Sequence, residues 1–299
     1  MRNGISFLIA ATLMLGAVPA HAKDGVDVWA ELSARAVDSS RAVFEGDDID
    51  SSGVGVAAAA GFEWKNGRTS VQFDLGAQIF DYSEDTRETR ESATASATLA
   101  QELNDTLSVA VTVSHAEDIV TLEARETDQD AVRVEVKYET KQDRLRLRAQ
   151  YRAREYRSST IVDDQGEGFR YDAQYNRRIG SWHWARLDVQ FDDIDSDTAR
   201  RSYHRMTVRG SYSLPVAKKL RLRPQLEYRS WTYDERRVLG DPASELRQDS
   251  YVAPEIGLDY GGSSGLRARL RAAYQFRTSN DPRYSDDAPY LDLTIGYRF

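Results

Sequence analysis

Tyr290-Leu291-Asp292-Leu293-Thr294-Ile295-Gly296-Tyr297-Arg298-Phe299 closes the chain, and its alternation decides the fold. Leu291, Leu293, Ile295, Tyr297 and Phe299 recur at every second position, with Asp292, Thr294, Gly296 and Arg298 between them. Successive side chains of an extended strand point to opposite faces, so this period gives one strand an apolar face and a polar one.

The same period runs back to Val26. It is clearest in Val71-Phe73-Leu75-Ala77-Ile79, Val132-Val134-Val136-Tyr138, Leu145-Leu147-Ala149-Tyr151, Ala185-Leu187-Val189-Phe191, Val252 to Tyr260 and Leu266 to Phe276. A soluble sandwich also alternates, so the connections have to discriminate. Lys65-Asn66-Gly67-Arg68, Asn104-Asp105-Thr106, Thr140 to Asp143, Arg178-Ile179-Gly180, Pro215 to Lys219 and Gly261 to Gly265 read as tight turns. Longer, polar loops fall between them, near 38–50, 83–91, 117–129, 157–167, 193–199, 234–249 and 278–288. Strict alternation of short and long connections fits an up-and-down antiparallel transmembrane β-barrel of about 14 strands, with 12 to 16 compatible. The expected strands, roughly 10 to 13 residues, suit a tilted membrane strand. Aromatics near the ends of the apolar faces (Trp64, Tyr138, Tyr151, Tyr212, Tyr260, Tyr274) read as interfacial girdles. Trp182 and Trp184 have the opposite parity from Ala185 to Phe191 and read as lumen-facing or as marking a bulge.

The closing ten residues resemble the C-terminal signal of Gram-negative outer-membrane proteins, which ends in an aromatic residue. The resemblance implies that Tyr297 and Phe299 form an assembly signal read by the barrel-assembly machinery. It also implies a multi-pass barrel in the outer membrane, in contact with lipid and lipopolysaccharide.

The start of the chain agrees. Arg2 precedes the apolar run Ile5 to Val18, and Ala20-His21-Ala22 has the small-x-small form of a cleavage site. Residues 1–22 are therefore expected to be a cleaved signal peptide, and 23–299 a single barrel. The apolar run is shorter than the roughly 20 residues that span a bilayer as a helix. Mean hydropathy is −0.60, as expected of a barrel whose alternating faces cancel in any averaging window. Cysteine is absent, which excludes disulfides and thiolate metal sites, and the net charge of −8 argues against a nucleic-acid partner.

Once the apolar parity is assigned to lipid, the other parity lines the interior. It carries Arg144, Arg146, Arg148, Arg152 and Arg154, then Arg205 and Arg209, then Arg221, Arg223 and Arg229, then Arg267, Arg269, Arg271 and Arg277. Acids of the same parity, Asp172, Asp188, Glu227, Glu255, Asp259 and Asp292, are expected to pair with part of this charge across neighbouring strands. The early strands offer only small residues: Gly53 to Gly61 in steps of two, Thr94-Ser96-Thr98-Ala100 and Ser108-Ala110-Thr112-Ser114. A 14-strand barrel has a diameter of roughly 28 Å, too wide for side chains alone to fill. The small-residue side is thus expected to border an off-centre passage or to receive an inward loop.

A positive lumen favours anions, and guanidinium forks bind carboxylate or phosphate; the alternative is that the Arg-acid ladders only brace the wall. Trp231, Tyr233 and Trp29 have lumen parity and are candidates for stacking on sugar rings or for interfacial anchoring. The outer loops are acidic, at Glu45 to Asp50, Glu84-Asp85, Asp163-Asp164, Asp192 to Asp195 and Asp286-Asp287. Solvation explains them, or divalent cations bridging them to lipopolysaccharide phosphate. Only His115, His183 and His204 follow Ala22, all on the lipid parity, and although Ser202 shares a strand with His204 no oxyanion hole is visible. No enzyme activity, metal or cofactor is therefore expected. Arg223 to Tyr233 and Arg277 to Tyr284 resemble the closing hairpins of barrels from surface-lipoprotein assembly modifiers and exopolysaccharide loci. That resemblance implies export, with a separate periplasmic partner supplying the helical-repeat part expected of such modifiers. The leading expectation is a porin-like channel for small hydrophilic, preferentially anionic or sugar, solutes; the alternative is an export or structural barrel.

Overall fold

A computed structural model describes residues 25–39, 52–84, 87–124, 126–157, 164–262 and 265–299. The expected signal peptide with Ala20 and Ala22, and the loop acids 45–50, 85 and 163, lie outside them. The strands are β1 (Val26–Ser39), β2 (Gly53–Asn66), β3 (Thr69–Tyr82), β4 (Arg90–Glu102), β5 (Leu107–Ile119), β6 (Thr127–Glu139) and β7 (Asp143–Tyr156), followed by β8 (Gln165–Ile179), β9 (His183–Ser196), β10 (Tyr203–Ala217), β11 (Leu220–Arg237), β12 (Leu246–Tyr260), β13 (Gly265–Ser279) and β14 (Ala288–Arg298). Each pairs antiparallel with its sequence neighbours, and β1 pairs with β14, so the sheet closes without an edge. The closing pair sets Ala34 opposite Ile295 and Val37 opposite Asp292, and the Phe299 N–H donates to the Ala30 carbonyl at 2.9 Å.

The outer surface follows the alternation. Leu75, Val111, Val134, Leu147, Ile256 and Ile295 all stand exposed on one parity, while Asp292 on the other parity is fully buried. Among the described residues no helix is long and apolar enough to cross a membrane; the apolar surface is carried by the strands. Aromatic pairs mark its margins, with Tyr297 and Phe299 at 4.8 Å and Tyr151 and Phe169 at 5.4 Å between ring centroids.

One end has the tight turns. Gly67 and Gly180 take the left-handed φ that these turns require, and the Asn104 side chain accepts from the N–H groups of Thr106 and Leu107. Trp182 lies exposed in the β8–β9 turn, whereas Trp184 faces inward.

At the other end the strands run further than the alternation alone indicates, 11 to 18 residues, because the register continues beyond the apolar belt. Asp192 to Asp195 are therefore part of β9, correcting their reading as an outer loop. Ile194 and Asp192 point inward and are buried, and Asp193 points out. The loop read near 117–129 is also corrected. β5 continues to Ile119, and Asp118, with a left-handed φ of 53°, turns the chain where its N–H donates to Asp128 Oδ1 at 3.0 Å. Thr121, Leu122 and Glu123 are buried, and Leu122 joins a cluster with Ile194, Tyr203, Trp231, Tyr233, Tyr251 and Ala253. The loop thus folds into the barrel.

Candidate functional site

β7 carries Arg144, Arg146, Arg148, Arg152 and Arg154 on one face because a strand repeats every two residues. The arginines bury in the order in which partners are available. Arg152 is only 2% exposed, and its Nη1 lies 2.9 Å from Asp192 Oδ1. The two are on β7 and β9, and the strand between them places Gly168 opposite Arg152, so no side chain stands in the way of the guanidinium. Arg205 Nη2 reaches the same carboxylate at 2.9 Å and Arg170 Nε lies at 3.8 Å. One aspartate therefore serves three arginines.

The pattern recurs with two. Glu227 pairs with Arg209 and with Arg229 at 2.8 Å, and also accepts from the Tyr251 hydroxyl at 2.6 Å. Asp259 pairs with Arg223 at 2.6 Å and Arg269 at 2.8 Å. Asp292 pairs with Arg35 at 2.9 Å and with Arg271. A carboxylate has enough lone pairs for two guanidiniums, but only one charge to set against them. Within each such group the guanidiniums outnumber the shared carboxylate, although Arg170 is held also by Asp172 at 3.4 Å.

The remaining arginines and acids have local roles. Arg144 pairs with Glu139 beside a tight turn, Arg146 lies 4.0 Å from Glu135, and Arg148 lies 3.9 Å from Asp172. Asp188 is held by Arg186 at 2.6 Å, and Glu255 accepts from the Tyr290 hydroxyl. Arg267 reaches Glu31 at 3.1 Å, and Arg221 donates to Ser213 Oγ and to the Trp182 carbonyl, tying down a turn. Arg154 is bound to Glu123 on the inward loop, whose carboxylate also accepts from Tyr156.

These residues line two adjoining spaces. A cavity of about 480 Å³ toward the tight-turn end is lined by seven arginines and three acids, with Trp184, Tyr251 and Tyr290 among the lining. A second, of about 450 Å³, lies between the inward loop and β7 to β11 and is lined by eight arginines and two acids. They share Arg186, Asp188, Arg209 and Arg229, which stand where the two spaces adjoin.

Two stacking candidates do not reach it. Trp231 and Tyr233 are 3% and 2% exposed, and Trp231 donates to the Tyr233 hydroxyl at 3.2 Å. They pack with the loop cluster instead, because their height on β11 is the height at which Leu122 enters. Trp29 lies beneath the Arg298 guanidinium at 4.2 Å and covers Gly61. Trp184 takes the lumen-facing one of its two sequence readings, whereas Asp192, Glu123 and Arg35 are not among the residues expected at the site. Extending the alternation of β9 by one pair of residues finds Asp192, but nothing in the sequence signals that Glu123 turns inward.

The histidines lie elsewhere. His115 Nδ1 is 2.8 Å from Asp130 and His204 Nδ1 is 3.0 Å from Asp193, all on the outer surface, and His183 contacts the Tyr212 hydroxyl. Among the described residues no group of three His, Cys, Asp or Glu is arranged to hold a metal ion.

No protein-family model and no curated protein sequence matches the chain. Its fold is nonetheless similar to that of solved structures. A loop L8 deletion mutant of OmpT, an outer membrane protein of Vibrio cholerae, aligns with TM-score 0.55 at 11% identity over 92% of this chain and 99% of that one. The fold is that of the outer-membrane β-barrels. A bacterial polysaccharide outer membrane secretin aligns at TM-score 0.58 and 10% identity, over 90% and 98% of the two chains. The anion-selective porin from Comamonas acidovorans aligns at 0.53 and 8%, over 92% and 99%. With its exposed apolar belt, this barrel resides in the outer membrane of a Gram-negative bacterium.

Proposed function

We propose that this barrel is a diffusion channel for small hydrophilic solutes with a preference for anions. The observation that carries the reading is the sharing of carboxylates. Asp192 faces three arginines, and Glu227, Asp259 and Asp292 face two each. Bracing and selectivity then arise from the same groups, since each hydrogen-bonded cluster stiffens the wall and leaves positive charge beside the space. A solute carboxylate or phosphate meets donors already held in place, so little side-chain entropy is lost on contact.

The test is the reversal potential of the refolded chain in a planar bilayer under a salt gradient. Anion preference is expected, and a cation-selective or non-conducting barrel would count against the reading. A second reading, the barrel of a surface polysaccharide export system, draws on the likeness to the polysaccharide secretin. Deletion separates the two: loss of surface polysaccharide with unchanged uptake of small anions favours export. In either case the proposed partners are outer-membrane lipid and lipopolysaccharide, and the barrel-assembly machinery acting on the strand that ends in Tyr297 and Phe299.

A further inference from the structure

The small-residue side of the barrel is not uniformly bare. Register places Arg35 on β1 opposite Gly55 on β2, Gly55 opposite Phe80 on β3, and Phe80 opposite Arg90 on β4. This row runs straight across four strands on the inner face. At ~4.8 Å per strand its two arginines are rooted about 14 Å apart.

The phenyl ring lies down against the wall. A Cβ at Gly55 would stand 2.8 Å from Phe80 Cδ2, and one at Gly53 would stand 2.7 Å from Phe80 Cε1. Only glycine at both positions lets the ring lie this close to the wall, and the Tyr82 ring meets it at 68° with centroids 4.9 Å apart. Phe80 borders a cavity of about 190 Å³, separate in its chemistry from the arginine-walled space. Val37, Phe80, Tyr82 and Val120 of the inward loop supply apolar surface; Arg35, also held by Asp292, and Arg90, which donates to the Asp118 carbonyl, supply charge, and no acid is among the described lining residues. Arg35 belongs also to the larger cavity, so it stands where the two meet.

An apolar cavity of ~150 Å³ is enough to take benzene, so this one matches a single ring with one small substituent. A flat ring offered for stacking, with guanidiniums at both margins, is complementary to a planar apolar body carrying one negative group. From this row we propose that the cavity is a binding subsite for monocyclic aromatic carboxylates. The proposal rests on the anion-channel reading for how the ligand arrives, and it names a solute class within it. The ring lies on Phe80 and its carboxylate is taken by Arg35 or Arg90, while sugar acids, lacking a flat apolar face, pass along the arginine wall.

The test is isothermal titration of the refolded full-length chain in detergent at neutral pH with benzoate and, separately, acetate, alongside Phe80→Leu and Arg35→Gln. The gel-mobility shift of folded barrels checks each variant. Benzoate is expected to bind more tightly than acetate by about tenfold, the scale of one aromatic stacking contact with its buried area. Phe80→Leu should abolish that advantage, and Arg35→Gln should weaken both ligands. Equal affinity for benzoate and acetate, or a Phe80→Leu barrel that still prefers benzoate, overturns the subsite. If Phe80→Leu fails to fold, Arg90→Gln with Arg35→Gln takes its place, and unchanged benzoate affinity in that pair also overturns it. Conductance in potassium chloride is recorded on the same preparations. A barrel that binds benzoate but does not conduct refutes the channel and leaves the subsite standing; one that conducts anions and shows no preference for benzoate does the reverse.

Discussion

The wall from β7 to β14 and the wall from β2 to β5 use the same backbone and are stabilised differently. On the first, long side chains cross between strands, and buried carboxylates such as Asp192 and Glu227 each bind several guanidiniums. On the second, contacts are short, as between the Thr98 and Thr112 hydroxyls at 2.9 Å, or are made by a ring lying on glycine. A barrel wide enough to hold water must either fill its interior or line it with groups that are content to be wet. This chain does the former with charge on one side and the latter with small residues on the other. The inward loop spans the difference: Glu123 and Leu122 are tied to the charged half, and Val120 faces the small-residue half.

Asp192→Asn breaks the contrast most directly. It keeps the shape of the side chain but leaves Arg152 and Arg205 buried without their counter-charge, a loss expected to reach about 3–5 kcal/mol in urea unfolding of the refolded barrel. Thr98→Val, on the opposite wall, should cost only about 1 kcal/mol. Comparable losses in the two variants would mean that the halves are not stabilised differently.

Glu123→Gln comes next. Arg154 keeps its bond to Gln129 at 2.9 Å, so the stability loss should be smaller than for Asp192→Asn. The loop loses its charged anchor, and single-channel conductance should rise; an unchanged conductance would show that the Leu122 cluster alone holds the loop. Replacing Arg144, Arg146 and Arg148 together with Gln should reduce anion preference moderately, because these pairs are looser than those at Asp192 and most of the arginine wall remains. Unchanged reversal potentials would reassign them to bracing.

The smallest effect concerns the outer rim of the charged half. Asp281 accepts from the Leu239 N–H at 2.9 Å and from Arg283, linking two outer loops, and the Arg283 hydrogen bonds hold its carboxyl well below the ordinary carboxylate range. Because the folded pKa is the lower one, this link stabilises fully above the unfolded value near 3.8 and is lost as pH falls through the folded value. Hydrogen exchange at Leu239 should therefore remain protected to below pH 3.8 in the wild type and should lose that pH dependence in Asp281→Asn.

Much of the fold can be read directly from the sequence. The parity that begins at Phe299 carries back through every strand, and the closed ring of 14 follows from the alternation of short and long connections. The inner-face arginines follow from the same parity, and Arg209 with Glu227 or Arg269 with Asp259 are simple cross-strand partners. What exceeded the reading has a common cause. Arg152 meets Asp192 two strands away, over a glycine; Phe80 lies on Gly55 because the register sets them face to face; and Glu123 sits on a loop that turns inward after the irregular end of β5 at Asp118.

Sequence by itself determined which face each strand residue occupies, since the extended backbone alternates whatever surrounds it. The tertiary structure alone decided which inner-face residues meet. Reach across strands depends on register, on whether the intervening position carries a side chain, and on where a loop re-enters the barrel, and none of these is a local property of the chain.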